Sequence, residues 1–202
     1  MSKQREVSSP IIFRCQRCGD CCKNLLNFDD TLGIKTGLAL TPDEIGLFPA
    51  DAISPTLGFG HLGNGVPKRI IGYQVSVDVC PHLSWEGALA SCTIYKKRPL
   101  ICRMYPWMPF FIEDTMILGK CRGMPDEAEF NEQLSVPPGV EKLLKVRRQK
   151  LKRAMEGTAY GELVSQFDLG SKTWYRVCRA GEVRKEALPL TYTPLALEAT
   201  GD

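Results

Sequence analysis

The sequence predicts an α+β fold, in which an irregular cysteine-rich metal-binding module of short antiparallel strands and short helices precedes a helical C-terminal part. Three observations lead to this prediction. Residues 13–24, FRCQRCGDCCKN, hold four cysteines in a segment typical of a loop. Residues 69–80 and 88–95 contain β-branched residues and alternate in part, which is typical of strands. Residues 139–157 repeat apolar side chains on one helical face and end at a glycine, which predicts a long helix.

The pattern changes after residue 124. We therefore divide the chain into a cysteine-cluster metal-binding module, residues 11–124, and a mainly helical extension, residues 125–202, that packs on it. A chain of 202 residues has room for one substantial domain with a helical appendage. Its 44% hydrophobic and 24% charged residues are ordinary for a globular protein. The net charge of +3 is too small to indicate a nucleic-acid or membrane partner by itself.

The first element after the cysteines is predicted from its cap. Residues 38–48, LALTPDEIGLF, should begin a helix, because Thr41 can cap it, Pro42 suits the first helical position and Glu44 completes a capping box. Residues 54–68 follow with several glycines and prolines in quick succession. These breakers predict a loop.

Two further elements complete the module. Residues 96–105, KKRPLICRMY, should form a short helix that begins near Pro99. Residues 108–121 read as a β-hairpin, with Glu113 and Asp114 near its turn rather than acting as paired catalytic carboxylates.

In the extension, the helix over residues 139–157 is expected to be followed by helices over residues 161–170 and 171–187. The first of the three has an apolar face made of Val140, Leu143, Leu144, Leu151, Ala154 and Met155.

The location of the chain decides how its cysteines are interpreted. No stretch approaches the about 20 apolar residues that a bilayer requires. Residues 1–13 have no apolar core and no cleavage site of a secretory signal, so we expect a cytoplasmic protein without a membrane span. In a reducing compartment, clustered cysteines more often bind metal or perform redox chemistry than form disulfides.

The cysteines of the first loop have the spacing of metal ligands. Two residues between thiols let both sulfurs face one ion, and Cys15, Cys18 and Cys21 repeat this step twice. Gly19 suits a tight turn, since such turns often require a positive φ. A CxxCxxC run with a remote fourth ligand matches loops around iron–sulfur clusters, but it also offers three ligands to zinc. The spacing therefore predicts a metal and leaves its identity open.

A second set of cysteines falls at the edges of the predicted strands and short helix. Its spacing matches no zinc-finger pattern, so only the fold can bring its members together. Arg98 and Arg103 lie beside two of them, where guanidinium groups could neutralise thiolate charge and donate hydrogen bonds to sulfur without binding the metal. Alternatively, both arginines could pair with surface carboxylates. The members of this set are Cys80, Cys92, Cys102 and Cys121.

Taken together, four motifs resemble the CxxCxxCC (YkgJ-type) family of cysteine-cluster proteins, described as zinc- or iron-chelating. They are CQRCGDCC, LTPDEI, CPHLSWEGALASCTIYKKRPLICRMYP and GKCRG, and the resemblance covers residues 13–123. Cys178 lies outside it, and His82 occupies a slot that the family usually fills with an aromatic or apolar residue. The metal ligands implied are Cys15, Cys18, Cys21, Cys22, Cys80, Cys92, Cys102 and Cys121.

The resemblance implies a protein that coordinates iron–sulfur clusters or zinc, in one or two centres. A first alternative is an iron–sulfur-dependent enzyme for electron transfer or protein modification, because a similar segment occurs in flagellin lysine methylases. The sequence does not decide whether the chain is an enzyme. A second alternative is an interaction module in which structural zinc holds a basic helix for an acidic or nucleic-acid partner.

Other features carry less functional information. His61 lies in a glycine-rich segment, residues 57–65, that follows no clear strand and opens no helix, so nucleotide binding is not indicated. The basic stripe of the long helix has no interleaved stacking aromatics, and we expect a solvated face rather than a nucleic-acid surface. Its members are Lys142, Lys145, Arg147, Arg148, Lys150, Lys152 and Arg153.

The adjacent pair Cys21 and Cys22 yields one more expectation. Neighbouring side chains diverge, so Cys21 could complete the CxxCxxC loop while Cys22 turns toward the second set, Cys80 to Cys121.

Overall fold

The computed structural model of the protein describes residues 13, 15–29, 33–59, 67, 69–109, 116–119, 121–124, 136–156, 164–177 and 186–187. Within these residues the α-helices are α1 Asp20–Lys23, α2 Leu100–Met104 and α3 Pro138–Ala154, and the 3₁₀ helices are Pro42–Leu47, Ala50–Ala52 and Tyr95–Lys97. The strands are β1 Asn27–Asp29, β2 Ile34–Thr36, β3 Leu38–Leu40, β4 Ile53–Phe59, β5 Arg69–Val75, β6 Leu83–Glu86, β7 Leu89–Cys92, β8 Trp107–Pro109, β9 Met116–Leu118, β10 Val164–Asp168, β11 Thr173–Val177 and β12 Glu186–Ala187.

The largest sheet has six antiparallel strands in the order β12-β11-β10-β4-β5-β3. Its centre is apolar: Phe167 of β10 and Trp174 of β11 are buried and meet edge to face, with ring centroids 5.3 Å apart. Leu57 of β4 and Val75 of β5 are also buried. The sheet therefore joins strands from both sides of residue 124, while the division into two domains stays a prediction.

Three further pairs of antiparallel strands are β1–β2, β6–β7 and β8–β9. Three of the cysteines lie on or beside two of these pairs. Cys92 ends β7, Cys80 precedes β6, and Cys121 follows β9. A two-stranded hairpin is only marginally stable alone, so each depends on contacts with its neighbours.

A second apolar cluster joins the short helix α2 to the long helix α3. Its buried members are Leu100, Ile101 and Met104 of α2, Trp107 of β8 and Val140 of α3. Since α2 also carries Cys102, this cluster fixes one cysteine to the core of the molecule.

The capping box predicted at Thr41 and Glu44 is present, but the helix that it starts is 3₁₀. The buried Glu44 carboxylate accepts the Thr41 N–H at 2.9 Å through one oxygen. Its other oxygen accepts the Leu100 N–H, the first of α2, at 2.7 Å. One carboxylate thus satisfies free N–H groups of two helices.

The basic stripe of α3 is divided by the packing. Arg147 is buried, which lowers the pKa of its guanidinium. The negative charge of the Glu44 carboxylate acts in the opposite direction and raises that pKa. Lys150 forms an ion pair with Asp43. The remaining basic residues of the stripe are exposed, namely Lys142, Lys145, Arg148, Lys152 and Arg153.

Most predicted elements of the module are confirmed. Residues 69–75 and 89–92 are strands, α2 begins directly after Pro99, and α3 occupies residues 138–154. The strands β8 and β9 pair as a hairpin. Glu113 and Asp114, predicted near its turn, lie outside the described residues.

Two predicted helices are wrong. Residues 164–168, inside the expected helix 161–170, form β10, and residues 173–177, inside the expected helix 171–187, form β11. The Asp168 side chain accepts the N–H groups of Gly170 and Ser171 and closes a tight turn between the two strands. This turn and pairing with β4 override helical propensity, so the C-terminal part is not wholly helical.

The loop predicted over residues 54–68 is also wrong in its first half, which is strand β4. The proline and glycine of β4, Pro55 and Gly58, lie where the pairing of β4 with β5 is irregular. A β-carbon at Gly58 would overlap the ring of Pro67. Proline and glycine are therefore tolerated here as bulge and close-contact residues.

Candidate metal centre

The CQRCGDCC segment turns at a glycine, as the sequence predicts. Gly19 has φ +77°, and its position is crowded, since a β-carbon there would lie 3.0 Å from the Ala90 β-carbon and from the Trp85 ring. Directly after it, the single turn α1 carries Cys21 and Cys22. The Gly19 carbonyl accepts the Cys22 N–H at 2.9 Å. The turn therefore places both cysteines just beyond the contact with the β6–β7 hairpin.

Arg17 anchors the same segment to that hairpin. Its carbonyl accepts the Ala90 N–H at 2.7 Å, and its Nε donates to the Ala90 carbonyl at 2.9 Å. Its guanidinium also pairs with Glu86 at 2.7 Å. Arg17, which lies between Cys15 and Cys18, thus hydrogen-bonds to β7 as a neighbouring strand would.

Backbone contacts bring three cysteines of different segments together. The Cys80 N–H donates to the Cys22 carbonyl at 2.7 Å, and the Cys80 carbonyl accepts the Leu83 N–H at 3.0 Å. Leu83 stands opposite Cys92 in the β6–β7 hairpin. A path of neighbouring backbone positions therefore leads from Cys22 to Cys80 and, through Leu83, to Cys92.

Cys121 is tied to the same loop through the residue that follows it. Arg122 forms an ion pair with Asp20 of α1 at 2.8 Å, which ties the residue after Cys121 to the residue before Cys21. The Cys121 sulfur accepts the Gly123 N–H at 3.4 Å. Burial raises the pKa of the Cys121 thiol, and thiolate charge at Cys18, Cys21 and Cys15 raises it further.

The adjacent cysteines Cys21 and Cys22 shift each other's thiol pKa in opposite directions. Their sulfur atoms lie 3.9 Å apart. The hydrogen bond from Cys22 lowers the pKa of Cys21 to about 7, and the positive charge of Arg98 acts in the same direction. The same hydrogen bond, burial, and negative charge at Cys80 and Cys102 raise the pKa of Cys22.

Cys102 is a partly buried cysteine on α2. Burial raises its pKa to about 12, with a smaller contribution from thiolate charge at Cys80 and Cys21. Arg98 partly offsets this increase, as expected for a cation near thiolates. Of the two arginines predicted beside the site, Arg98 has a charge that acts on Cys21 and Cys102, whereas Arg103 lies on the exposed side of α2.

Arg98 is held in place by Tyr95. Its guanidinium carbon lies 3.9 Å from the centre of the Tyr95 ring, and its Nε donates to the Tyr95 carbonyl at 3.2 Å. The stacking orients the cation without neutralising it, so its charge stays available to the thiols.

His82 is engaged by protein atoms at both ring nitrogens. Nε2 lies 2.6 Å from the Leu47 carbonyl oxygen, and Nδ1 lies 3.2 Å from the Thr93 hydroxyl. Since a carbonyl only accepts, Nε2 carries the proton and Nδ1 accepts from Thr93. This arrangement agrees with the expectation that His82 is a poor ligand candidate. His61 and Cys178, which the sequence does not predict as ligands, lie outside the described residues.

Sequence reasoning missed three residues that shape the site. Arg17 and Glu44 act through long-range hydrogen bonds, and no spacing rule predicts their partners. The third is Tyr105, whose pKa is raised by burial and then by negative charge at Cys121 and Cys21. The only available signal was their position inside the conspicuous motifs QRCG, TPDE and RMYP.

The donor set fits a thiophilic metal, but the thiols do not already converge on one point. Among the residues that the structure describes, the eight clustered cysteines have free thiols. In the part of the chain that the structure describes, no three Cys, His, Asp or Glu side chains are arranged to hold a metal ion. Thiolate sulfur is the preferred donor for zinc and for iron–sulfur clusters. Binding a metal would therefore require several thiols to move closer together.

None of the helices in the described ranges has both the length and the apolar character needed to cross a membrane. Comparison with curated proteins and with solved structures gave no match. A family model described as "CxxCxxCC: Putative zinc- or iron-chelating domain" matches residues 14–133, which is more than half of the chain and includes all eight clustered cysteines. By its cysteine pattern and by the extent of this match, the chain belongs to the CxxCxxCC family.

Proposed function

We propose that the protein binds zinc or an iron–sulfur cluster through its eight clustered cysteines. The observation that carries the proposal is the docking of the CQRCGDCC loop against two other segments, through Ala90 on one side and Asp20–Arg122 on the other. This docking gathers thiols from separate parts of the chain. A cluster of this kind suits a reducing compartment such as the cytoplasm.

The protein's own residues prepare the site for a metal. Each thiol must lose its proton to become a ligand, and Arg98 favours the thiolate form of Cys21 and Cys102. Arg17 fixes the loop between Cys15 and Cys18. When bound, zinc would supply folding free energy, whereas an iron–sulfur cluster would supply a redox centre.

The test is a metal analysis of protein purified without air, combined with an absorbance spectrum and thiol titration. Stoichiometric zinc in a colourless sample would identify a structural site. Iron with sulfide in a brown sample would identify a cluster and would favour the electron-transfer or protein-modification alternative. A Cys178→Ser variant is the control, since Cys178 lies outside the matched residues, and it should retain the full metal content. If all eight thiols titrate as free and no metal is bound, the proposal is wrong.

One observation favours a second candidate, an interaction module with a metal-supported basic helix. Asp43 binds Lys150 of α3, and Glu44 caps α2, which carries Cys102. The helix with the exposed cations is thus connected to the cysteine site by a short chain of contacts. The test is affinity for a polyanion such as heparin, with and without a chelator. Binding that is lost on metal removal and on Lys145→Glu substitution would support this candidate, whereas unchanged retention in both would reject it.

A further inference from the structure

We propose that Glu44 is a positioning residue for Cys102, because its carboxylate fixes the start of the helix that carries this cysteine. The two hydrogen-bonded residues, Glu44 and Leu100, are 56 residues apart in the sequence. The position of Cys102 can be measured in the metal-free protein. Only its consequence for metal binding rests on the proposed function.

Helix α2 depends on a cap from a distant part of the chain. It has five residues, Leu100–Met104, and a helix of this length is not stable by itself. Its N-cap residue is Pro99, whose side chain makes no capping hydrogen bond. Instead, the Leu100 N–H donates to Glu44 Oε1 at 2.7 Å. Since Leu100 begins the single turn that holds Cys102, this bond fixes the end of α2 nearest to the cysteine.

The Glu44 side chain is itself held in place. Its other oxygen, Oε2, accepts the Thr41 N–H at 2.9 Å within the capping box of the 3₁₀ helix. The same 3₁₀ helix is attached to α3 by the ion pair between Asp43 and Lys150. Glu44 and Arg147 of α3 are both buried, at 6% and 5% exposure. Because both carboxylate oxygens have fixed donors, the side chain links two helices in one geometry.

Stability alone does not account for a buried charge at this position. Apolar side chains of similar volume often stabilise a protein as well as a buried charged pair does, and sometimes better. A carboxylate provides two directed acceptors, which an apolar side chain lacks. The structure uses both acceptors of Glu44 on backbone N–H groups. Its particular contribution is therefore the position of α2.

The position of α2 matters because its apolar cluster also holds other cysteine-bearing segments. Phe13 and Met124 pack against the same buried cluster as Cys102. Phe13 lies just before Cys15 in the sequence, and Met124 follows shortly after Cys121. A shift of α2 would therefore change where Cys102 lies relative to the segments that carry these two cysteines.

The first experiment measures alkylation of the reduced, metal-free protein by iodoacetamide, with the rate at each cysteine read by peptide mass spectrometry. Glu44→Gln should accelerate alkylation of Cys102 by about tenfold or more, as expected for the loss of a hydrogen bond to a charged group. The rate at Cys92 of β7 should change by less than about twofold. The control is Phe167→Leu, because Phe167 belongs to a different apolar cluster, in the large sheet. This substitution lowers stability without affecting the cap of α2, so it should leave the rate at Cys102 unchanged.

A second variant separates position from charge. Glu44→Asp keeps the carboxylate but is shorter by one methylene group, so it cannot reach both N–H groups. It should accelerate alkylation of Cys102 as well. A wild-type rate in Glu44→Asp would show that the charge alone suffices and would overturn the inference. An unchanged rate in Glu44→Gln, or equal acceleration of Cys102 in Phe167→Leu, would also overturn it.

The second experiment measures zinc affinity without air, by competition with a chromophoric chelator. Glu44→Gln should weaken binding by about tenfold, as observed for residues that orient metal ligands, whereas Phe167→Leu should not. In a Cys102→Ser background, Glu44→Gln should change the affinity by less than about twofold, because the residue through which it acts is gone. An undiminished effect in that background would contradict positioning through Cys102. Wild-type protein that binds no zinc would refute the proposed function, and the alkylation rates would then decide the role of Glu44 by themselves.

Discussion

Replacing Glu44 with glutamine tests how the cysteine-bearing helix is attached to the rest of the molecule. The Glu44 carboxylate is buried and uses one oxygen for the Thr41 N–H and the other for the Leu100 N–H. Glutamine keeps only one oxygen and turns an amide group, itself a donor, toward the second N–H. One hydrogen bond is lost and two donors face each other.

The magnitude follows from these contacts. A hydrogen bond to a charged group contributes about 1.5–3 kcal/mol, and an unsatisfied buried partner adds to the loss. The substitution also removes the negative charge that compensates the buried Arg147. We therefore expect Glu44→Gln to lower the free energy of unfolding by about 3 kcal/mol, a large part of the about 5–15 kcal/mol typical of a folded protein.

The assay is urea unfolding of the reduced, metal-free protein, followed by circular dichroism. Glu141→Gln is the matched control, because Glu141 is exposed on α3, and it should change stability by less than about 0.5 kcal/mol. In the double variant Glu44→Gln/Arg147→Met, the buried cation is removed as well. The combined loss should be at least about 1 kcal/mol smaller than the sum of the single losses. A Glu44→Gln protein as stable as the control would refute the reasoning.

Three other substitutions probe the backbone and the pH dependence. Gly19→Ala should destabilise the loop by about 1–2 kcal/mol in thermal melts, because φ is +77° and the new methyl would press on Trp85; an unchanged melting temperature would contradict this. Gly37→Ala should cost about 3 kcal/mol, because its methyl would overlap the Val75 carbonyl oxygen, and stability equal to wild type in urea would show that the backbone relaxes freely. For Asp168, burial is outweighed by hydrogen bonds from Ser171 and nearby backbone N–H groups, so its pKa is lowered. This stabilisation is complete above the carboxyl's unfolded value and disappears as pH falls through the folded value. Asp168→Asn should therefore flatten the acid limb of stability against pH, and an unchanged slope would be evidence against it.

The elements that could be predicted are those fixed by neighbours in sequence. The capping box at Thr41, the start of α2 after Pro99 and the turn at Gly19 all follow from side chains within a few residues. Strand β10 could not be predicted in this way. Its conformation depends on pairing with Leu57 to Phe59 of β4, more than a hundred residues earlier, and a short apolar segment does not reveal such a partner.

The candidate site shows the same limit. The spacing of Cys15, Cys18 and Cys21 indicates a metal loop without reference to the fold. Which other cysteines lie near this loop depends on contacts such as the ion pair between Arg122 and Asp20, about a hundred residues apart, and no local pattern encodes it. Sequence reasoning therefore predicts the donor residues and could not show which of them lie near one another.

The way in which the cysteine segments are held connects metal binding to folding. Helix α1 has no buried residue, and the loop before it is fixed through Arg17 and Gly19 to a small hairpin. Hydrogen bonds of this kind contribute about 0.5–1.5 kcal/mol each, far less than a packed core. Such a segment opens more easily than the six-stranded sheet. A metal that binds only the closed arrangement adds its binding free energy to the stability of that arrangement. The cysteine loop would then gain its rigidity from the ion that it binds, whereas Cys102 lies on α2, which the apolar cluster with α3 holds in place.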